Sequence, residues 1–145
     1  MKHKKIMLGF ASMLILMIPK HISAQTYKML AEAVCTKQED EIDNDDIYIY
    51  IEHKDGTTSS SNVVPISEGE KRVVTKDMLV KKGDNVYLYE KDVLDPDDLL
   101  LSFTVNEDFT DGKYHTVAKT GIRYDYTLFV TLTSVEINYD TDTEK

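Results

Sequence analysis

Residues Ile47-Tyr48-Ile49-Tyr50-Ile51 alternate strictly between an aliphatic and an aromatic side chain. Successive side chains of a strand point to opposite faces, so an extended chain gathers the three isoleucines on one face and the tyrosines on the other. A helix would scatter both sets around its circumference. The same period of two recurs along the chain. Met29, Ala31, Ala33 and Cys35 share one face of residues 27–35, and Leu99, Leu101, Phe103 and Val105 share one face of residues 99–105. Residues 86–89 follow a Gly83-Asp84 turn signal, and residues 112–119 and 124–135 complete the run of candidates. Residues 126–132 (YTLFVTL) are the most strongly β-forming stretch.

Residues 62–66 and 71–75 are short strand candidates, and Pro65 places the former at a sheet edge. Residues 77–80 read equally as a helical turn or as the tail of a strand. Lys54-Asp55-Gly56 is a turn signal, and the Thr/Ser stretch after it, to Ser61, reads as a polar connection. About eight short strands with no long helical period predict an all-β fold, a single antiparallel β-sandwich.

The first residues have another character. Lys2, Lys4 and Lys5 precede an apolar run over residues 6–19, and Ile22-Ser23-Ala24 supplies a small residue before Gln25. That three-part layout predicts a signal peptide over residues 1–24 and an exported chain, periplasmic or secreted. The run falls short of the roughly 20 apolar residues a membrane helix needs, so no transmembrane span is expected after cleavage. The expected domain then covers residues 25–139, with a polar tail at 140–145.

Four of the 17 basic residues fall in the signal segment and none of the 26 acidic residues does, which leaves 13 against 26 and a net charge of −13. Nucleic-acid binding needs a basic face, so it is excluded as an expectation. Cys35, the only cysteine, lies in an alternating apolar run and reads as a packed core residue, not a nucleophile. His53 and His115 are the only histidines after residue 24, and both read as structural or solvent-exposed. The sequence shows no Ser-His-Asp order, phosphate-cradling glycine loop or zinc spacing, so the chain is expected not to be an enzyme.

The acidic residues are concentrated. Residues 37–46 (KQEDEIDNDD) hold six and residues 90–98 (EKDVLDPDD) hold five, each segment between two strand candidates. Crowded carboxylates repel one another unless a cation neutralises them, and calcium accepts six to eight oxygen ligands in flexible geometry. The bland alternative is a pair of solvated turn loops. An EF-hand is excluded: Asp43-Asn44-Asp45-Asp46-Ile47 puts isoleucine at the third ligand position, and no glycine follows.

The spacing of these two loops resembles that of C2 domains, the calcium- and lipid-binding β-sandwiches. Their first calcium loop reads like D-x-x-G-x-S-D-P-Y-V, and residues 40–49 here read DEIDNDDIYI. Asp40 and Asp46 match the two aspartates, Tyr48 the tyrosine and Ile49 the aliphatic, whereas Asp43, Asp45 and Ile47 replace glycine, serine and proline. Their third loop reads like D-x-D with a further aspartate six residues on, followed by two apolar residues and glycine. Glu90-Lys91-Asp92 and then Asp98-Leu99-Leu100 answer to it here, with Glu90 in place of the first aspartate and Leu101 in place of glycine.

The resemblance implies calcium (Ca2+) ligation by Asp40, Asp46, Glu90, Asp92 and Asp98, in a binding module for a protein or lipid ligand. The alternative is a metal-free acidic interaction or inhibitor protein of the same sandwich fold.

Overall fold

A computed structural model describes residues 24–38, 44–120 and 123–136. Residues 1–23, Asp40 and the expected tail at 140–145 lie outside the described residues. Among the described residues nine strands run in chain order: β1 Thr26–Lys37, β2 Asp45–Glu52, β3 Thr58–Ser60, β4 Val64–Ile66, β5 Lys71–Lys81, β6 Asn85–Glu90, β7 Asp98–Thr104, β8 Tyr114–Thr120 and β9 Asp125–Ser134. They form two antiparallel sheets, ordered β5-β1-β9-β8 and β3-β2-β6-β7, with β4 also paired to β2.

The inward positions follow the alternation. Met29, Ala31, Ala33 and Cys35 of β1 are fully buried, as are Ile47, Ile49 and Ile51 of β2. With Val86, Leu88, Leu128, Val130 and Leu132 they join one continuous core between the sheets. Each large aliphatic residue so buried contributes about 1.5–3 kcal/mol. Cys35 packs among them, and burial pushes its thiol above the ordinary value.

Three expectations are corrected. The Thr/Ser connection contains a ninth strand, β3, which pairs with β2 through Tyr50, Ile51 and Glu52. The candidates at 71–75 and 77–80 are one strand. β5 pairs with β1 through two register shifts, where Ala31 faces Thr75, Met29 faces Met78 and Glu32 faces Val73. The amides of Asp77 and Met78 donate to Thr75 Oγ1 at 3.4 and 3.3 Å. A bulge held by a local side chain imitates a helical turn in sequence. Finally, β7 does not alternate throughout. Leu88 faces Leu101 but Tyr89 faces Leu99, so Leu100 is an extra residue. The bulge buries both Leu100 and Leu101 and turns Leu99 outward, 37% exposed.

The chain direction gathers at one end the described residues of four connections: 38 and 44, 67–70, 91–97, and 123–124. Two of them are fastened together there. Ser67 Oγ donates to Asn44 Oδ1 (2.5 Å) and the Glu68 amide donates to Gln38 Oε1 (2.7 Å). Tyr124 Oη donates to the Leu99 carbonyl at 2.9 Å and links the two sheets at the same end. The β2–β3 hairpin, the β5–β6 turn and the β7–β8 connection lie at the other end.

Candidate functional site

Both acidic segments open onto the end that holds connections 38–44 and 91–97. Asp46 stands in the first residue pair of β2 and is exposed; its carbonyl accepts the Lys91 amide at 2.7 Å. Glu90 closes β6 opposite Ile47 on one side and opposite Asp98 of β7 on the other. Asp92 follows in the connection, and its amide donates to Asp97 Oδ1 at 3.2 Å. Asp46, Glu90 and Asp98 thus sit on three adjacent strands, whose spacing in a sheet is about 4.8 Å. Their parities differ: Glu90 and Asp98 share the inward side with Ile47, while Asp46 shares the outward side with Tyr48. Among the described residues no three His, Cys, Asp or Glu side chains form a group able to hold a metal ion. Asp40 lies outside the described residues.

Asp45 and Asp97 are among the carboxylates of this end that already have protein donors, as is Glu70, which accepts the Ser67 amide at 3.0 Å. Asp45, buried at 2% exposure, accepts a hydrogen bond from Tyr126 Oη. Burial and that bond push the Tyr126 phenol far above its ordinary value, so it stays a donor. Asp97 accepts from Tyr48 Oη at 2.5 Å; partial burial and then this bond push the Tyr48 phenol up to about 12. The strict alternation carries the signal for Asp45, because it falls on the isoleucine face of β2.

Val93 and Leu94 were not singled out by sequence reasoning. They sit at the tip of connection 91–97, each 94% exposed, between Asp92 and Asp95. An apolar pair inside an acidic segment reads as noise until the loop is seen to project both side chains.

At the opposite end three side chains line up that sequence order did not connect. Ser59 Oγ lies 3.0 Å from His53 Nε2, and His53 Nδ1 lies 2.8 Å from Asp84 Oδ2. Asp84 is 1% exposed and also accepts the Lys54 amide (2.9 Å) and the Lys81 amide (2.8 Å). Its carboxylate ties the hairpin after β2 to the turn after β5. A cavity of about 600 Å³ opens beside it, lined by His53, Lys54, Leu79, Lys81 and Asp84 among others.

No protein-family model matches the chain, and no curated protein matches it in sequence. Solved structures do match in fold. A C2 domain of a plant extended synaptotagmin 1 superposes with a TM-score of 0.53 at 8% identity, over 79% of this chain and 97% of that domain. A structure described as a C2 domain gives 0.51 at 12% identity, over 75% of this chain and 98% of its own. A human GIVD cytosolic phospholipase A2, solved with a fluorophosphonate inhibitor and terbium chloride, gives 0.50 at 11% identity over 79% of this chain. The chain spans 18% of that phospholipase's length. Two antiparallel sheets of matching course over three quarters of its length give this chain the fold of a C2 domain.

Proposed function

We propose that the chain is an exported, non-enzymatic binding module whose acidic end holds calcium and engages a lipid or protein ligand. Asp40, Asp46, Glu90, Asp92 and Asp98 are the calcium ligands in this reading. One observation carries it. The same rim that collects Asp46, Glu90, Asp92 and Asp98 also projects Val93 and Leu94 into solvent. The donor set is all oxygen, which suits a hard cation. Bound calcium would offset the repulsion between the loops and let an acidic rim approach an anionic headgroup, while Val93 and Leu94 enter the bilayer interface. The signal layout expected over residues 1–24 agrees with the reading, because millimolar-range calcium sites are a feature of extracellular modules.

Terbium tests it directly, as a hard trivalent cation whose emission is sensitised by nearby tyrosine. The expected result is saturable terbium emission on tyrosine excitation, displaced by millimolar calcium and lost in an Asp46→Asn/Asp92→Asn double variant. Sedimentation with phosphatidylserine vesicles should then depend on calcium and fall at least tenfold in Val93→Ser/Leu94→Ser. Absence of terbium emission together with absence of a calcium-induced thermal shift rejects the metal reading.

The second reading, a metal-free acidic module facing a basic partner, is favoured by the tyrosine donors that already serve Asp45 and Asp97. Partner capture that is insensitive to a chelator and steeply dependent on salt selects it.

A further inference from the structure

The outward face of the β2–β6 pair carries a block of four tyrosines. Tyr48 stands opposite Tyr89 and Tyr50 opposite Tyr87 in the ladder. The rings touch in every direction: Tyr48 and Tyr89 stack at 5.6 Å between centroids, Tyr87 and Tyr89 at 6.0 Å, and Tyr50 meets Tyr87 at 6.2 Å and Tyr89 at 6.3 Å. All four are half-buried, so each presents part of its ring to solvent.

Carboxylates bracket the block. Tyr48 Oη donates to Asp97 at one edge and Tyr87 Oη donates to Glu52 (2.8 Å) at the other. Asp46 and Glu52 continue the outward row of β2 beyond the two tyrosines. The outward strand positions around the block are Thr58, Ser60, Pro65, Asn85, Leu99, Ser102 and Thr104, with no lysine or arginine among them; Lys91 follows the end of β6, its amide on the Asp46 carbonyl. Within the described residues the hydroxyls of Tyr50 and Tyr89 carry no hydrogen bond, unlike those of Tyr48 and Tyr87.

We propose that this face docks an arginine-bearing polypeptide segment, whose guanidinium groups stack on the tyrosine rings and pair with Glu52, Asp97 and Asp46. Charge complementarity selects the occupant. A planar guanidinium offers both a face for aromatic stacking and a fork for a carboxylate, and the bracketed block presents both partners within one side chain's reach. Interfaces draw on tyrosine for the same reason: much contact area at little conformational cost. The net charge of −13 over residues 25–145 steers a basic segment toward the chain from a distance. A second copy of this chain is a poor occupant, because it would set the bracketing carboxylates against their own kind. The docking site overlaps the calcium reading at Asp46 and at the connection that carries Asp97, and otherwise uses the face of the sheet, its four rings and Glu52.

The test uses the purified protein and two synthetic nine-residue peptides alternating serine with arginine or with lysine, followed by calorimetry at two salt concentrations. The arginine peptide is expected to bind at least fivefold tighter than the lysine peptide. A Tyr50→Leu/Tyr89→Leu double variant is expected to lose at least tenfold in affinity for the arginine peptide alone. Glu52→Gln, a surface change that spares the rings, should weaken it severalfold. Amide shifts on titration should centre on residues 48, 50, 87 and 89. Equal binding of both peptides, or a loss below twofold in both variants, shows attraction by net charge only and overturns the proposal. Tighter binding of a neutral oligosaccharide than of the arginine peptide overturns it in favour of a sugar platform.

Discussion

Asp84→Ala is the perturbation that most sharply tests how the blunt end of the sandwich is held. The carboxylate is 1% exposed and accepts three bonds at 2.8–2.9 Å, from His53 Nδ1 and the amides of Lys54 and Lys81. Hydrogen bonds to an ionised group contribute about 1.5–3 kcal/mol each, but bonds sharing one acceptor do not sum. Removing the acceptor leaves two amides unsatisfied in part-buried positions, so the expected loss is about 3–5 kcal/mol. That is a large share of a domain stability of about 5–15 kcal/mol. At about 4 °C per kcal/mol for a domain of this size, the melting temperature should fall by about 12–20 °C. His53→Ala removes one of the three bonds and should cost about 1–2 kcal/mol; Ser59→Ala, at the far end of the relay, should cost less than about 1 kcal/mol. Urea denaturation of the three variants yields the ranking. A loss below about 1 kcal/mol for Asp84→Ala, or a larger loss for Ser59→Ala than for Asp84→Ala, refutes the reasoning.

The remaining expectations concern the core, a bulge and acid. Tyr126→Phe takes from buried Asp45 its hydroxyl donor, and urea denaturation should show a loss of about 1.5–3 kcal/mol. Leu100→Ala empties the fully buried bulge position of β7 and should cost about 2–5 kcal/mol in the same assay, where the neighbouring outward Leu99→Ala should cost less than half as much. Asp111 is held below the ordinary carboxylate range by the Ser134 hydroxyl and then the Ser134 amide, Asp55 by the Thr57 hydroxyl and amide, and Glu70 by the Ser67 amide and then Arg72. A depressed folded value means that these groups stabilise the fold fully above their unfolded values, near pH 4, and lose that contribution as pH falls through the folded ones. Thermal unfolding against pH should therefore decline below about pH 4, and less steeply in Asp111→Asn.

The alternation in residues 47–51 carried the core, because burial on one face only leaves a period of two that nothing else imitates. Both sheets and the common end of the two acidic segments follow from strands of that kind joined by short connections. Three features were illegible for physical reasons. β3 has three residues, all polar, and is held by its ladder with β2 and not by burial. The shifts in β5 and at Leu100 break the period at the places where the strand takes in an extra residue. The line from Ser59 through His53 to Asp84 joins β3 and the hairpin turn after β2 to the turn before β6, which meet only once β2 pairs with β6, Glu52 opposite Asn85, so no spacing announces it. Of the five acidic residues the C2 resemblance selected, Asp46, Glu90, Asp92 and Asp98 lie at one end, and Asp40 belongs to the stretch outside the described residues.

Calcium, if held as proposed, is held at this end of the sandwich and at no other surface. Amide chemical shifts recorded through a calcium titration test this placement most directly. The account predicts saturable shifts concentrated in residues 38–48 and 88–100, with the hairpin at 53–57 and the turn at 82–84 unmoved. Shifts that fail to saturate, or that gather around His53 and Asp84 instead, contradict it.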